Sequence, residues 1–335
     1  MPANSFGEYL TVTTFGESHG PALGAVIDGC PAGISLEAAD FTRELARRRP
    51  GQSAVTTSRN EADEPHLVSG LFEGKTTGAP ICVLVHNSDQ RSSDYDSLRA
   101  THRPGHADAA YEQKYGHRDH RGGGRSSGRE TLARVIGGVV ARKLLPSSTR
   151  VIGHALRVGP ISAQRFDPAI IEANPMRCAD AEAAAAMEHF VLRCREQGDS
   201  IGGTVEIRVI DPPAGLGDPV FQKLKATLAA AFLSVGAVQG FAYGAGFDAS
   251  VMRGQDYIKD SQNFGGMLGG VTTGEDLRLL AAIKPTSSVA DVSKRGRHDP
   301  CIVPRVIPVL EAMTWIALAN ATLAQRARGT GPSSS

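Results

Sequence analysis

The chain has 335 residues, 41% of them hydrophobic and 21% charged, so a globular protein with a substantial buried core is expected, as one large domain or two ordinary ones. Thirty-six Lys and Arg against 35 Asp and Glu leave a net charge of +1, which excludes a global field that would recruit nucleic acid or an anionic membrane; any anion binding has to be local. The five cysteines are scattered, odd in number and without a C-x-x-C pair, which argues against a disulfide framework and a zinc site and fits a reducing cytoplasm.

No basic region followed by an apolar run opens the chain, and no segment reads as approaching the ~20 apolar residues of a membrane span, so a soluble protein with no membrane partner is expected. In chain order, Ser35 followed by Leu36 to Arg49 and stopped by Pro50-Gly51 predicts an amphipathic helix whose end directs three arginines to one place. Ala79 to His86 predicts a strand buried on both faces. Ala107 to Tyr115 predicts a short helix beginning just after His106. Ser127-Gly-Arg-Glu130 matches a capping box for a helix over Thr131 to Leu145. Ala181 to Gln197 reads as a helix, and Thr204 to Ile210 as an antiparallel strand with one wet face. Asp218-Pro219 would start another helix, Gln262 to Gly274 would be a mobile loop, and Pro304 to Arg328 a long apolar helix. Strands are paired as often as they are helix-separated, which favours α+β. No internal boundary is visible, so residues 1–328 read as one domain and 329–335 as a frayed tail.

The chemistry concentrates between Arg103 and Glu130. Histidines, arginines, hydroxyls and glycines crowd together there, as a site that holds a phosphorylated ligand and moves protons would need. His106 precedes a helix start, where an anion would sit beside unpaired backbone N–H groups. Arg121, Arg125 and Arg129 lie among glycines and serines able to wrap around phosphate, and guanidinium forks suit bidentate phosphate recognition; Arg134 reads equally as part of a solvated helix face. Ser18-His19 between glycines suits an acid or electrostatic partner to an anion rather than a hydrolase nucleophile. Neither a P-loop nor a Gly-x-Gly-x-x-Gly fingerprint is present, and His117, Asp119 and His120 lack a second carboxylate cluster, so no metal is expected. On residues alone, an RNA-binding module using the Arg-Gly-Gly run and a phosphatase using His19 or His106 remain open readings. The near-zero charge and the 5% aromatic content weigh against RNA.

Taken together, Thr13-Thr-Phe-Gly-Glu-Ser-His-Gly20, Arg47-Arg-Arg-Pro-Gly51, Arg103-Pro-Gly-His-Ala-Asp108, Tyr111-Glu-Gln-Lys-Tyr-Gly116, Arg121-Gly-Gly-Gly-Arg-Ser-Ser127, Lys284-Pro-Thr-Ser-Ser288 and Gly296-Arg-His-Asp-Pro-Cys301 resemble the chorismate synthase family, in the same order and over nearly the whole chain. The resemblance implies a β-α-β sandwich with helices packed between antiparallel sheets, assembled as a homotetramer. It also implies a lyase that converts 5-enolpyruvylshikimate 3-phosphate to chorismate by 1,4-anti elimination of phosphate, requiring reduced FMN without net oxidation. By residue match, His19 would protonate or charge-stabilise the departing phosphate and His106 would serve a proton at the flavin N1 side. Asp299 would act as base, directly or through flavin N5, and Ser18 and Ser127 would assist by hydrogen bonding. Arg125, Ser126, Ser127, Gly236, Ala237, Gly269, Lys284, Pro285, Thr286, Ser287, Ser288 and Arg297 would contact FMN. Arg48, Arg49 and Arg129 would bind the anionic groups of the substrate or of NADP. Ala54 stands where the family usually carries arginine, the Asn263 to Gly266 turn is tighter than usual, and the link from Ser288 to Gly296 is shorter than in many relatives. NADPH enters only as a reductant, and dependence on an external flavin reductant is expected.

Overall fold

A computed structural model describes residues 2–51, 55, 61–87, 101–287, 289 and 299–329. Ala54, Ser288, Arg297, the link that follows Ser288 and all but the first residue of the expected tail lie outside the described residues. The chain runs through β1 (Ser5–Phe6), β2 (Thr11–Gly16), β3 (Ala22–Asp28), α1 (Ala38–Arg48), β4 (His66–Ser69), β5 (Leu71–Phe72), β6 (Lys75–Thr76), β7 (Ile81–His86), α2 (Asp108–Tyr115), α3 (Thr131–Arg142), β8 (Arg150–Val158) and β9 (Ile161–Ser162). It continues through α4 (Ala181–Glu196), β10 (Gly203–Ile210), α5 (Leu224–Leu233), β11 (Val238–Tyr243), α6 (Gly254–Tyr257), β12 (Met267–Leu268), β13 (Val271–Thr272), β14 (Leu277–Ile283) and α7 (Val303–Ala327).

Period-2 burial explains the sheets. Leu23, Ala25 and Ile27 of β3 and Ile81, Val83 and Val85 of β7 are fully buried on one face. The first antiparallel sheet has the order β1-β2-β3-β7-β4, the second β11-β14-β10-β8-β9. Between them α3 packs on β2 and β3, α7 on β8 and β10, and the two helices pack on each other. Their approach is close because Gly138 leaves no room: a Cβ there would lie 2.4 Å from the Ala312 Cβ, and one at Gly137 would lie 2.7 Å from Val12.

The long helix α7 is apolar enough, by length and composition, to cross a bilayer, contrary to the reading that no segment approaches a span. Yet 89% of its most apolar stretch is buried inside the protein, as befits the central element of a layered core. It carries Pro308 in its interior. A proline there cannot donate to the carbonyl of Pro304, and Arg177 Nη1 donates to that oxygen instead, at 2.7 Å.

Several local expectations are corrected. Helix α1 is capped by a box between Glu37 and Asp40, not by Ser35, which bridges to Lys75. The three arginines at its end diverge: Arg47 joins Glu172 and Glu311, Arg48 is buried, and Arg49 is exposed. Strand β7 is fully buried on one face only. Asp218-Pro219 does not open a helix, because the Asp218 N–H closes a turn onto the Gln222 carbonyl and α5 begins at Leu224. The Gln262 to Gly274 stretch holds a 3₁₀ turn (Ser261–Phe264) and the β12-β13 hairpin rather than only a loop. The polar face of β10 is only partly wet, its Arg208 side chain 35% exposed. Glu206 is 1% exposed and accepts from His154, Arg208 and Arg278, while Phe166 lies 3.8 Å beneath the Arg208 guanidinium.

Candidate active site

The site is built around the start of α3. Ser127 caps the 3₁₀ turn (Gly128–Glu130) that leads into it, accepting from the Arg129 N–H; Glu130 does not complete the expected box but pairs with Arg134. Arg134 also reaches Ser234, so it tethers α3 to the end of α5 rather than facing solvent. Gly122, with φ +65°, lets the backbone pass directly against the imidazole of His19. The Ser18 hydroxyl donates to the Gly122 carbonyl at 3.2 Å and lies 3.1 Å from His19 Nδ1. With the hydroxyl proton committed there, Nδ1–H is the donor to Ser18, and Nε2 carries the second proton when the ring is charged. Both side chains are buried.

On the other side, Arg103 grips Asp108 with its backbone N–H and a two-pronged guanidinium contact at 2.9 and 2.8 Å, folding the Pro104-Gly105-His106 loop at the start of α2. Burial alone would raise the Asp108 carboxyl, but these bonds outweigh it and bring the group down to about 2. His106, half-buried, sits at the tip of this loop. The Gly105 carbonyl accepts from Ser287, whose hydroxyl in turn meets Lys284 Nζ at 3.0 Å. The Lys284 N–H donates to the Ala237 carbonyl. Thr286 donates its hydroxyl to the Asp299 carbonyl at 2.9 Å and gives its own carbonyl to Ser200. The buried Asp299 carboxylate is held by Arg305 at the start of α7.

A second group of contacts runs from Arg48 to the Ser18-His19 segment. Arg305 is near enough to Arg48 for its charge, after burial itself, to be the main influence pushing the Arg48 guanidinium below its usual range. Arg48 donates to the Thr131 hydroxyl and the Gly128 carbonyl at the start of α3 and lies 3.7 Å from Asp63. Asp63 accepts from Arg129 at 2.8 Å, Arg129 donates to Asn87, and Asn87 donates to the carbonyls of Glu17 and Gly20 on either side of Ser18-His19. Thus His19, His106, Asp299, Arg48, Arg129, Ser127, Ala237 and Lys284 to Ser287 belong to one connected set. Within it three buried guanidinium atoms, Arg48 Nη1, Arg129 Nη2 and Arg305 Nε, have no hydrogen-bond acceptor among the described residues.

Other expected residues are placed differently. Arg125 spends its guanidinium on Thr14, Gly16 and Asn4, bracing β2. Ser126 turns back to the Gly123 carbonyl. Arg121 is tied to Asp119 on the surface. Arg49 is at the exposed end of α1, and Gly269 is at the exposed β12-β13 turn beside the start of α5, the opposite end of that helix from Gly236. Asp63, Glu61, Asn87 and Arg305 carried no signal in the sequence, because isolated charged and amide residues outside glycine-rich stretches read as surface.

The chorismate synthase family profile matches residues 10–323. The chain belongs to the chorismate synthase family. It is 49% identical to chorismate synthase of Methanosarcina mazei, with 96% of each chain covered. It is 46% identical to that of Chloroflexus aggregans, with 97% of each covered, and 47% identical to that of Bdellovibrio bacteriovorus, with 96% of this chain and 97% of the relative covered. A crystal structure of chorismate synthase superposes with a TM-score of 0.79 at 27% identity, covering 95% of this chain and 93% of that one. The sandwich of helices between antiparallel sheets is therefore the fold of the chorismate synthase family, and the connected set above is the natural place to seek its chemistry.

Proposed function

We propose that the protein is a lyase that removes phosphate from 5-enolpyruvylshikimate 3-phosphate by 1,4-anti elimination to give chorismate, with reduced FMN as cofactor. The observation that carries this reading is the set of buried guanidinium groups of Arg48, Arg129 and Arg305, in which Arg305 Nε has no acceptor among the described residues and Arg48 Nη1 and Arg129 Nη2 meet carboxylates only at 3.7 Å, too long for a hydrogen bond. A ligand bearing a phosphate and two carboxylates supplies the missing acceptors.

The residues also fit a flavin mononucleotide. A Cβ at Gly236 would meet nothing within 4 Å, so there is open space beside Ala237, and the Lys284 to Ser287 turn offers one cation to a phosphate or a polar ring edge. When bound, reduced FMN supplies an electron-rich ring that eases departure of phosphate without net oxidation. Arg48 and Arg129 orient the substrate anions. The bond from ring carbon to phosphate oxygen breaks with its electron pair on the phosphate, and His19 Nε2 provides the compensating proton or positive charge. The ring C–H electrons form one double bond while the existing ring double bond shifts to the carbon that loses phosphate, and the proton passes finally to the Asp299 carboxylate. His106 holds a proton at its imidazole on the cofactor side. Positioned acids and bases of this kind contribute about 10²–10⁴ in rate.

The same reading assigns the protein to the cytoplasm as a homotetramer supplied by an external flavin reductant, with NADPH acting only as a source of electrons. Five free thiols, three of them buried, are in keeping with a reducing compartment. The test is an anaerobic assay with chemically reduced FMN: chorismate should form, and His106→Ala and Asp299→Ala should each slow turnover at least ~100-fold while still binding FMN. An unaltered enolpyruvyl ring with the wild-type protein would sink the proposal.

A further inference from the structure

We propose that Arg305 belongs to the ligand-binding machinery: its Nη1 fixes the Asp299 carboxylate, and its Nε–H is held for an anionic oxygen of the phosphorylated dicarboxylic substrate. The inference rests on the reading above and names a residue that the sequence motifs do not reach.

Position is the first argument. Arg305 is the third residue of α7, whose first turn carries no acidic side chain. The start of a helix is its positive end, so a cation there is repelled by the fold that holds it. The one ion-pair partner of Arg305 among the described residues is Asp299, and its charge also acts on the buried Arg48 as repulsion. Asp63 and Glu61 lie beside Arg48 and Arg129, and Asp299 beside Arg305. Three carboxylates thus match the three guanidinium charges in number, and what is left for a ligand is the unfilled Nε donor of Arg305.

Hydrogen bonding is the second argument. Arg305 has most of its side chain buried, at 14% exposure, and Nε has no acceptor among the described residues. An arginine recruited only to brace Asp299 would satisfy the fork by facing the carboxylate with both Nε and an Nη, as Arg103 does with Asp108. Arg305 instead uses Nη1 on Asp299, and the buried Nε–H is directed elsewhere. An unmade buried hydrogen bond to a charged donor is costly, and an incoming oxyanion would remove that cost.

Substrate binding measured calorimetrically on the oxidised-FMN complex, where no turnover occurs, tests this together with inorganic phosphate as a second probe. Arg305→Met should weaken both ligands about 10- to 100-fold, the range for one charged hydrogen bond, with FMN affinity unchanged. Arg305→Lys should recover much of the binding but not kcat, because one ammonium cannot span Asp299 and a ligand oxygen together. Wild-type affinity for substrate and phosphate in Arg305→Met, or wild-type kcat in Arg305→Lys, would overturn the inference. Should Arg305→Met fail to fold, the kcat of Arg305→Lys decides. If the wild-type protein binds substrate without converting it, the proposed activity fails, while phosphate binding still decides the role of Arg305.

Discussion

Gly122 shows how a residue without a side chain can determine chemistry. Its φ of +65° is unfavourable for other residues, and a Cβ built on it would lie 2.0 Å from His19 Nδ1. Gly122→Ala should therefore push the imidazole off the Ser18 hydroxyl and lower kcat by about 10²-fold or more, as misplacement of a catalytic group does, with a smaller effect on the melting temperature; unchanged kcat would show that His19 is not held from this side. The importance of Ser18-His19 and of the glycine run was legible because glycine around a polar residue is a local signal. That the two segments touch was not legible, since they are a hundred residues apart and only the folded backbone joins them. Asp63 and Asn87 were illegible for the same reason: each acts by bridging two distant groups.

Among the elements, α7 was anticipated almost to the residue because a long apolar period leaves few alternatives. Its internal proline was not explained until Arg177 was seen donating to the Pro304 carbonyl. Arg177→Ala should leave that oxygen buried and unpaired, costing about 1–3 kcal/mol. Equilibrium urea unfolding measures it directly, and a loss below ~0.5 kcal/mol would mean that water or a local shift replaces the arginine. The helix wrongly placed at Asp218-Pro219 has the opposite lesson: proline at a first helical position is a local preference, and the turn closed by Gln222 overrode it. The strand at Thr204 to Ile210 is legible from its alternation, but periodicity cannot reveal that Glu206 is buried among His154, Arg208 and Arg278, two of them from other strands.

For the whole molecule, that covered cluster sets a pH limit. Burial alone would raise the Glu206 carboxyl, but hydrogen bonds from His154, Arg278 and Arg208 outweigh it and bring the group down to about 2, against a usual 4.5. A carboxylate depressed in the folded state contributes stability that is complete above its unfolded value and is lost as pH falls towards the folded one. The protein should lose stability between pH about 4.5 and about 2, and Glu206→Gln should flatten the melting-temperature profile in that window; an identical acid limb in the variant would assign the effect to other carboxylates. Asp108, brought down to about 2 as well, contributes in the same sense.

The two groups of contacts, one through Glu17, Asn87, Arg129, Asp63 and Arg48 and the other through Arg305, Asp299, Thr286, Ser287 and Gly105, draw on nearly the full span of the chain. During synthesis, then, a growing polypeptide has no complete version of the site to offer until α7 has emerged and docked. Ligand capture would consequently report completion of the last step of assembly, and abundant substrate would protect finished molecules from proteolysis while leaving unfinished ones exposed.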